Sequence, residues 1–243
     1  MNLRLSLLAC TLCLAGSSLM AQKSIADANP VVEDFTGFTA AGFTPSPGAG
    51  QLDSDEFAIT GLSEGTLTFG GTQTAGDFAR GLSAGGVSQG GVYAYNGADS
   101  FIFFQPSTDD FTPGTLTVRY VNSHPVNSID NLELSYQIQV LNNGDRSNTW
   151  NLSWSLDDVT YTSVPALDYA TPLAADTPAN WALVNRMTTI DMSASPVGNG
   201  GFIYLRFSSD DNGGSGSRDE IGLDNLVVSC DNLPVELEHF SVQ

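Results

Sequence analysis

The chain has 243 residues, with 27 Asp and Glu against 8 Lys and Arg and a formal charge of −19. That balance excludes nucleic acid as a partner, because phosphate binding needs a basic patch, and it opposes docking on anionic membranes. Charged residues are only 14% of the chain and glycine supplies 25 positions, which suits turns and close-packed strands; two histidines, His124 and His239, cannot build a His-rich zinc site.

Residues 1–21 predict a secretory signal peptide. Arg4 supplies the charge, Leu5 to Ala15 the apolar run, and Gly16 to Ser18 the small polar region, with cleavage after Ala21. The run is too short to span a bilayer, and no other apolar run approaches 18 residues, so the mature chain is predicted to lack a membrane-spanning segment. Leu7-Leu8-Ala9-Cys10 faintly resembles a lipobox, but cleavage there would leave almost no apolar region. Cys10 and Cys13 leave with the leader. Cys230 then remains as the one thiol, and no intramolecular disulfide can form. A large core or a metal must hold the fold together in an oxidising compartment.

After the leader the chain reads as a train of short strands. They fall at 31–35, 57–62, 66–71, 92–95 and 100–105. Leu116, Val118 and Tyr120 then alternate with polar residues. The clearest strand is Leu132, Leu134, Tyr136, Ile138 and Val140, with Glu133, Ser135, Gln137 and Gln139 between them. Trp150, Leu152, Trp154 and Leu156 repeat the pattern, with both tryptophans predicted in the core. Strands follow at 160–164 and 183–191, then Ile203, Leu205 and Phe207, then 221–229. Twelve short strands predict an all-β fold, an antiparallel β-sandwich of jelly-roll type, over residues 27–230 with a tail at 231–243. Long loops are expected at 36–56, 70–91 and 165–180. In the last strand Ile221 and Leu223 face one way and Leu226 and Val228 the other, so pattern leaves open whether Asp224 points in or out.

Four phrases carry a resemblance: residues 34–61 (DFTGFTAAGFTPSPGAGQLDSDEFAITG), 76–95 (GDFARGLSAGGVSQGGVYAY), 146–169 (RSNTWNLSWSLDDVTYTSVPALDY) and 210–229 (DDNGGSGSRDEIGLDNLVVS). Together they resemble an uncharacterised β-sandwich module near the N-terminus of secreted multidomain proteins of Gram-negative bacteria. The resemblance implies an extracellular or cell-surface module, joined to other domains of a larger exported protein. Leu233 to Phe240 resembles the LPVEL junction that precedes sorting segments of the type IX secretion system. No sorting segment follows, which implies a fragment or a truncated module.

The densest chemistry lies at Ser208 to Asn225, where Asp210, Asp211, Asp219, Glu220 and Asp224 gather among glycines. Calcium takes 6–8 hard oxygen ligands in flexible geometry. The spacing is not an EF-hand, because Ser215 and Ile221 stand where its glycine and glutamate belong. The pattern is similar to jelly-roll carbohydrate-binding modules in which first- and last-strand acids share a structural calcium. That likeness implies Glu33 and Asp34 as first-strand ligands and Asp224 as the last-strand ligand. The competing reading is a solvated acidic loop whose Asp and Asn cap turns. Arg218 among the acids predicts a bidentate pair with Asp211, Asp219 or Asp224. Asp53 to Glu56, Asp109-Asp110 and Asp157-Asp158 read as exposed turn acids, the last in a hairpin.

A sugar platform needs exposed aromatics on a polar sheet face. Tyr204 and Arg206, with Gln137, Gln139 and Asn151, supply rings, amides and a guanidinium. The competing reading packs Phe202 and Tyr204 under a long loop. Trp181 and Tyr169, flanking a Pro-rich loop, are ambiguous. No Glu-x-Asp-x-x-Glu strand motif and no Gly-x-Ser-x-Gly elbow is present. Glu220 and Asp224 would lie roughly 13 Å apart on one strand, too far for a retaining pair. A serine triad would need His124, in a turn, or His239, in the tail. The sequence thus predicts a non-catalytic secreted module that binds carbohydrate (a polysaccharide or cell-surface glycan) or another extracellular surface component, with a structural calcium. A fragment of a secreted hydrolase, or a structural or adhesion spacer without ligand, is the alternative.

Overall fold

The structure is a computed structural model that describes residues 22–230. The predicted leader (1–21) and tail (231–243) lie outside the described residues. In chain order the strands are β1 (Ser24–Ile25), β2 (Val31–Glu33), β3 (Phe43–Thr44), β4 (Leu52–Asp53), β5 (Phe57–Leu62), β6 (Gly65–Leu67), β7 (Leu82–Ser83), β8 (Gly91–Tyr95) and β9 (Ile102–Gln105). They continue as β10 (Gly114–Asn122), β11 (Asn131–Leu141), β12 (Arg146–Ser155), β13 (Thr162–Ser163), β14 (Tyr169–Ala170), β15 (Trp181–Asp191), β16 (Phe202–Ser209), β17 (Asp211–Gly214) and β18 (Glu220–Ser229). Two short 3₁₀ turns, Gly76–Phe78 and Pro165–Leu167, are the helical pieces among the described residues.

The strands form an all-β sandwich of jelly-roll type. The first sheet runs β13-β12-β16-β10-β5-β6, and the second β15-β11-β18-β9-β8-β7, with β2 beside β9 on the same edge of β18. From β10 onward the long strands alternate between sheets, so each connection crosses the sandwich. The long pairings are antiparallel; short parallel pairs join β1 to β10, β3 to β4 and β7 to β8.

Period-two patterning explains the core. In the first sheet Leu116, Val118 and Tyr120 stand opposite Phe207, Leu205 and Ile203. All are buried, as are Leu132, Leu134, Tyr136, Ile138 and Val140 of the second sheet. The ring of Tyr136 meets Phe207 edge-on at 5.1 Å across the sandwich, and Trp150 stacks on Phe207 at 5.6 Å. Each such side chain contributes about 1.5–3 kcal/mol on burial, so a core this size can serve in place of disulfides. Trp150 is buried and Trp154 packs partly buried against the same core.

Several expectations shift. The strand expected at 66–71 stops at Leu67, because Thr68 to Gly71 close a turn through Gly71 N–H to Thr68 C=O at 2.9 Å. The sandwich begins before residue 27, since Ile25 is in the core and β1 pairs with β10. The loop at 36–56 contains β3 and β4 and buries Phe38, Ala40 and Phe43, whose irregular spacing hid their role. The glycine-rich stretch after Asp210 is no free loop: β17 pairs with the start of β12.

The phase conflict in the last strand resolves through a bulge. The β11–β18 register shifts between Ser135 and Gln137, and Asn225 takes φ 46°. The extra residue returns the strand to the same face. Ile221, Leu223, Leu226 and Val228 therefore all enter the core, and Asp224 lies on the outer face. A β-branched side chain is strained at this left-handed position by about 1–2 kcal/mol. N225V should therefore unfold at lower denaturant than N225G, by that amount, in equilibrium urea titrations; both lose the same amide contact.

Candidate functional site

The outer face of the second sheet is ordered by its ladder. Tyr93, Phe103, Gly222, Gln139 and Leu183 form one row across β8, β9, β18, β11 and β15. Val32, Val227, Ser135 and Met187 form another across β2, β18, β11 and β15. Between them Gln137 stands opposite Asn185 on one side and Asp224 on the other.

One end of this face carries an aromatic cluster apart from the main core, made of Tyr93, Phe101 and Phe103 with Tyr95 and Trp181. Tyr95 stacks on Phe101 at 4.5 Å, and Trp181 meets Phe101 and Phe103 edge-on at 4.9 and 5.1 Å. Gly222 makes room: a Cβ there would come within 2.5 Å of Ile102 C=O and press on Phe103 and Phe101. The segment 84–90 is held over the cluster. Trp181 Nε1–H donates to Ala84 C=O at 2.8 Å, Tyr93 O–H to Gln89 C=O at 2.8 Å, and Val87 N–H to Glu220 Oε1 at 2.6 Å. Glu220 is buried beneath it, and burial pushes its carboxyl up to about 7.

From Trp181 a broken trough follows this face, its second and third hollows sharing Ser135, Met187 and Val227. Three hollows of about 560, 480 and 450 Å³ follow β11 and β15. The first is lined by Trp181, Tyr95, Asn143 and Asn180, the second by Gln137, Asn185, Met187 and Asn225, the third by Glu133, Ser135, Thr189 and Ser229. Thr189 lies eight positions beyond Trp181 along β15, about 27 Å of extended strand. Met187 is 78% exposed and Leu183 is also exposed. Asn225 Nδ2 donates to Gln137 Oε1 at 3.0 Å, which orients both amides.

The predicted ligand-binding residues divide between opposite faces of the sandwich. Gln137 and Gln139 lie on the trough face, but Gln139 is buried and donates to Asp224 Oδ2 at 3.4 Å. Tyr204, Arg206 and Asn151 lie on the outer face of the first sheet, in register with Arg119, Thr117 and Ser208. There the side chains satisfy one another. Phe69 packs on Tyr204 at 5.7 Å. The Arg206 guanidinium sits 3.6 Å from the Tyr161 ring centroid, pairs with Asp158 at 3.1 Å and donates to Thr117 Oγ1 at 3.2 Å. Arg119 lies over both Phe69 and Phe202. The five residues do not form one site.

The predicted calcium ligands are dispersed too. Glu33 pairs with Lys23, which also reaches Glu56 at 2.9 Å. Asp34 is exposed and caps Thr36 N–H. Asp210 and Asp211 are exposed, and Arg218 takes Asp211 bidentately at 2.6 and 2.8 Å, with Arg146 at 3.1 Å. Asp219 and Glu220 are buried at the start of β18 and Asp224 midway along it. Among the described residues no three His, Cys, Asp or Glu side chains form a group that could hold a metal ion. His124 is occupied: its Nδ1 accepts from Val126 and Asn127 N–H at 3.2 and 2.8 Å. His239 lies outside the described residues. The Asp157-Asp158 hairpin forms as expected, with Asp157 capping Val159 and Thr160.

No protein-family model matches the chain, and no curated protein matches it. Carbohydrate-binding modules and gingipain adhesin domains are among the solved structures to which it is similar. The K2 cleaved adhesin domain of Lys-gingipain is 12% identical, over 83% of this chain and 98% of that one, with a TM-score of 0.39. The K3 cleaved adhesin domain from Porphyromonas gingivalis W83 is 13% identical, over 58% and 81%, with a TM-score of 0.35. The carbohydrate-binding module CBM4 is 13% identical, over 84% and 95%, with a TM-score of 0.34. No helix among the described residues is long and apolar enough to cross a membrane.

Asp224 gives this face a pH signature. It is 1% exposed, and burial, reinforced by the charges of Asp99 and Asp34, pushes its carboxyl from 3.8 up to about 6. The folded state therefore holds this proton to higher pH than the unfolded state, and stability from this group falls as pH rises from about 4 to about 6. D224N removes that loss. The stability of D224N relative to the native protein should rise between pH 4 and 6 and level off above about 7, read from urea midpoints at each pH.

Proposed function

We propose that this protein is a non-catalytic, exported module that binds a neutral polysaccharide along the outer face of its second sheet. The observation that carries this reading is the trough itself. A half-buried tryptophan and tyrosine line the hollow at its head, exposed Met187, the amides of Gln137, Asn185 and Asn225 and several hydroxyls line the two beyond it, and exposed Leu183 stands on the strand row between. Aromatic and apolar side chains pack on the C–H faces of sugar rings, and amides both donate to and accept from sugar hydroxyls. The opposite face has the same residue types, but they are spent on one another.

Charge selects the class of glycan. A protein at −19 repels polyanions at long range, and Arg80, Arg146, Arg206 and Arg218 all carry an acidic partner. An uncharged polymer approaches without that penalty. In this reading residues 1–21 direct export, and the module tethers a larger secreted protein to its glycan.

Affinity electrophoresis and calorimetry with soluble glucans, xylans, mannans and galactans test the proposal. At least one should bind the native protein. W181A should weaken it at least about tenfold, a loss of about 1.4 kcal/mol, and N185A should weaken it less. Y204A and R206A should leave binding unchanged, since they lie on the other face. Loss of binding in R206A with W181A unaffected would move the site to the first sheet. No binding to any neutral polymer would refute the reading.

A further inference from the structure

The end strand of the second sheet differs from the other ends of this sandwich. β15 pairs with β11 through an unbroken ladder, and among the described residues no strand pairs with its outer side. It is 11 residues long, whereas β13 and β7, at other sheet ends, have 2 residues each and β6 has 3. Exposed edges are ordinarily blunted by short length, proline, lysine, bulges or inward-pointing charges, because bare N–H and C=O groups template another strand. β15 has no proline, glycine or lysine, and no bulge against β11. Its two charges are engaged away from the edge. Arg186 Nε donates to Leu167 C=O at 3.3 Å and its guanidinium lies over the Tyr169 ring, while Asp191 accepts from Ser193 N–H at 2.9 Å.

The strand also fits itself. In an antiparallel pair, side chains directly opposite each other lie on the same face and interact. Set antiparallel about Asn185, two copies of β15 place Leu183 opposite Met187 of the partner subunit, and Met187 opposite the partner's Leu183. These are the large exposed apolar side chains of the strand, at 48% and 78%. Trp181 falls opposite Thr189 and Val184 opposite Arg186, so no like charges meet. Other centres fit worse. Centring one residue later sets Arg186 against Arg186, and two later sets Leu183 against Asp191. Earlier centring shortens the ladder.

We propose that the outer edge of β15 receives a second copy of this chain, the two strands pairing antiparallel about Asn185 and joining the two second sheets into one. Strand addition gives its affinity through main-chain hydrogen bonds and its register through the side chains. Here the register follows from Leu183 sheltering against Met187 of the partner subunit. Both side chains stay on the outer face, so the contact leaves the trough open, and the inference does not depend on the polysaccharide reading. Each copy carries −19. Surface charges are screened beyond about 8 Å at physiological salt, so added salt should tighten the dimer.

Sedimentation equilibrium of residues 22–243 at low and high salt, up to about 1 mM, the weak end of the affinity scale, tests the proposal. A monomer–dimer equilibrium that strengthens with salt is expected. L183E/M187E sets like charges opposite each other in both Leu–Met pairs and should weaken the dimer at least about tenfold. L183K/M187E sets opposite charges there and should retain it. V126E/V159E adds the same charge at exposed sites elsewhere and should dimerise like the native chain; circular dichroism checks that each variant is folded. Under oxidation N185C should cross-link to itself, because opposed strand positions lie within disulfide reach, and T189C should not. A native chain that stays monomeric throughout would overturn the proposal. So would an undiminished dimer in L183E/M187E, an equal loss in V126E/V159E, or cross-linking through T189C and not N185C.

Discussion

Three carboxylates, Asp219, Glu220 and Asp224, are buried at or along a single central strand, and a buried carboxylate must find donors or give up its charge. Each one recruits a different covering. Glu220 takes the N–H of Val87 and so holds the 84–90 segment over the aromatic cluster. Asp219 takes the N–H of Gly144 and draws in the β11–β12 turn. Asp224 takes the N–H of Asn225 within the bulge, and the side chain of Gln139. The strand that bears them is paired on both edges, with β11 on one and β9 and β2 on the other. A change at any of the three is therefore felt in a loop, a turn or a register rather than in one contact.

The two outer faces show how the same residue types produce opposite surfaces. On the first sheet each exposed ring has a cation or another ring against it, and Arg206 is held by Tyr161, Asp158 and Thr117 together. Its rings and guanidinium groups are committed to one another. On the second sheet the bulge at Asn225 turns an amide outward beside Gln137, and the missing side chain at Gly222 lets the aromatics lie flat against the strand. What remains is a row of hollows lined by amides and exposed apolar groups. Few bases are available to this acidic chain. Arg119 and Arg186, which form no ion pair among those described, lie over aromatic rings instead.

Much of the architecture was legible in the residues. Alternation in Leu132 to Val140, Trp150 to Leu156 and Ile203 to Phe207 located the inner faces, because a pleated strand projects successive side chains to opposite sides. The Arg218 pairing was legible as chemistry, but its choice of Asp211 over Asp219 and Asp224 was not. Of the trough, Gln137 stood out and Trp181 was ambiguous. Asn185, Met187 and Asn225 carried no signal, because an exposed amide or methionine on a strand looks the same whether or not a neighbour completes a groove.

The sequence by itself determined the strands, their buried sides and the acidic character of the protein, since these follow from local periodicity and composition. Tertiary structure alone decided which sheet each strand joined, and that separated Gln137 from Tyr204 and Arg206 by the thickness of the sandwich. It also decided the fate of the carboxylates. Of seven acids, five of them close in sequence, Glu33 went to an ion pair, Asp34 to an exposed cap, Asp210 to the surface, Asp211 to Arg218 and Arg146, and the other three to buried positions at or along one strand. Whether an acid is exposed, paired or buried depends on what the other strands bring against it, and that contact is not encoded in spacing along the chain.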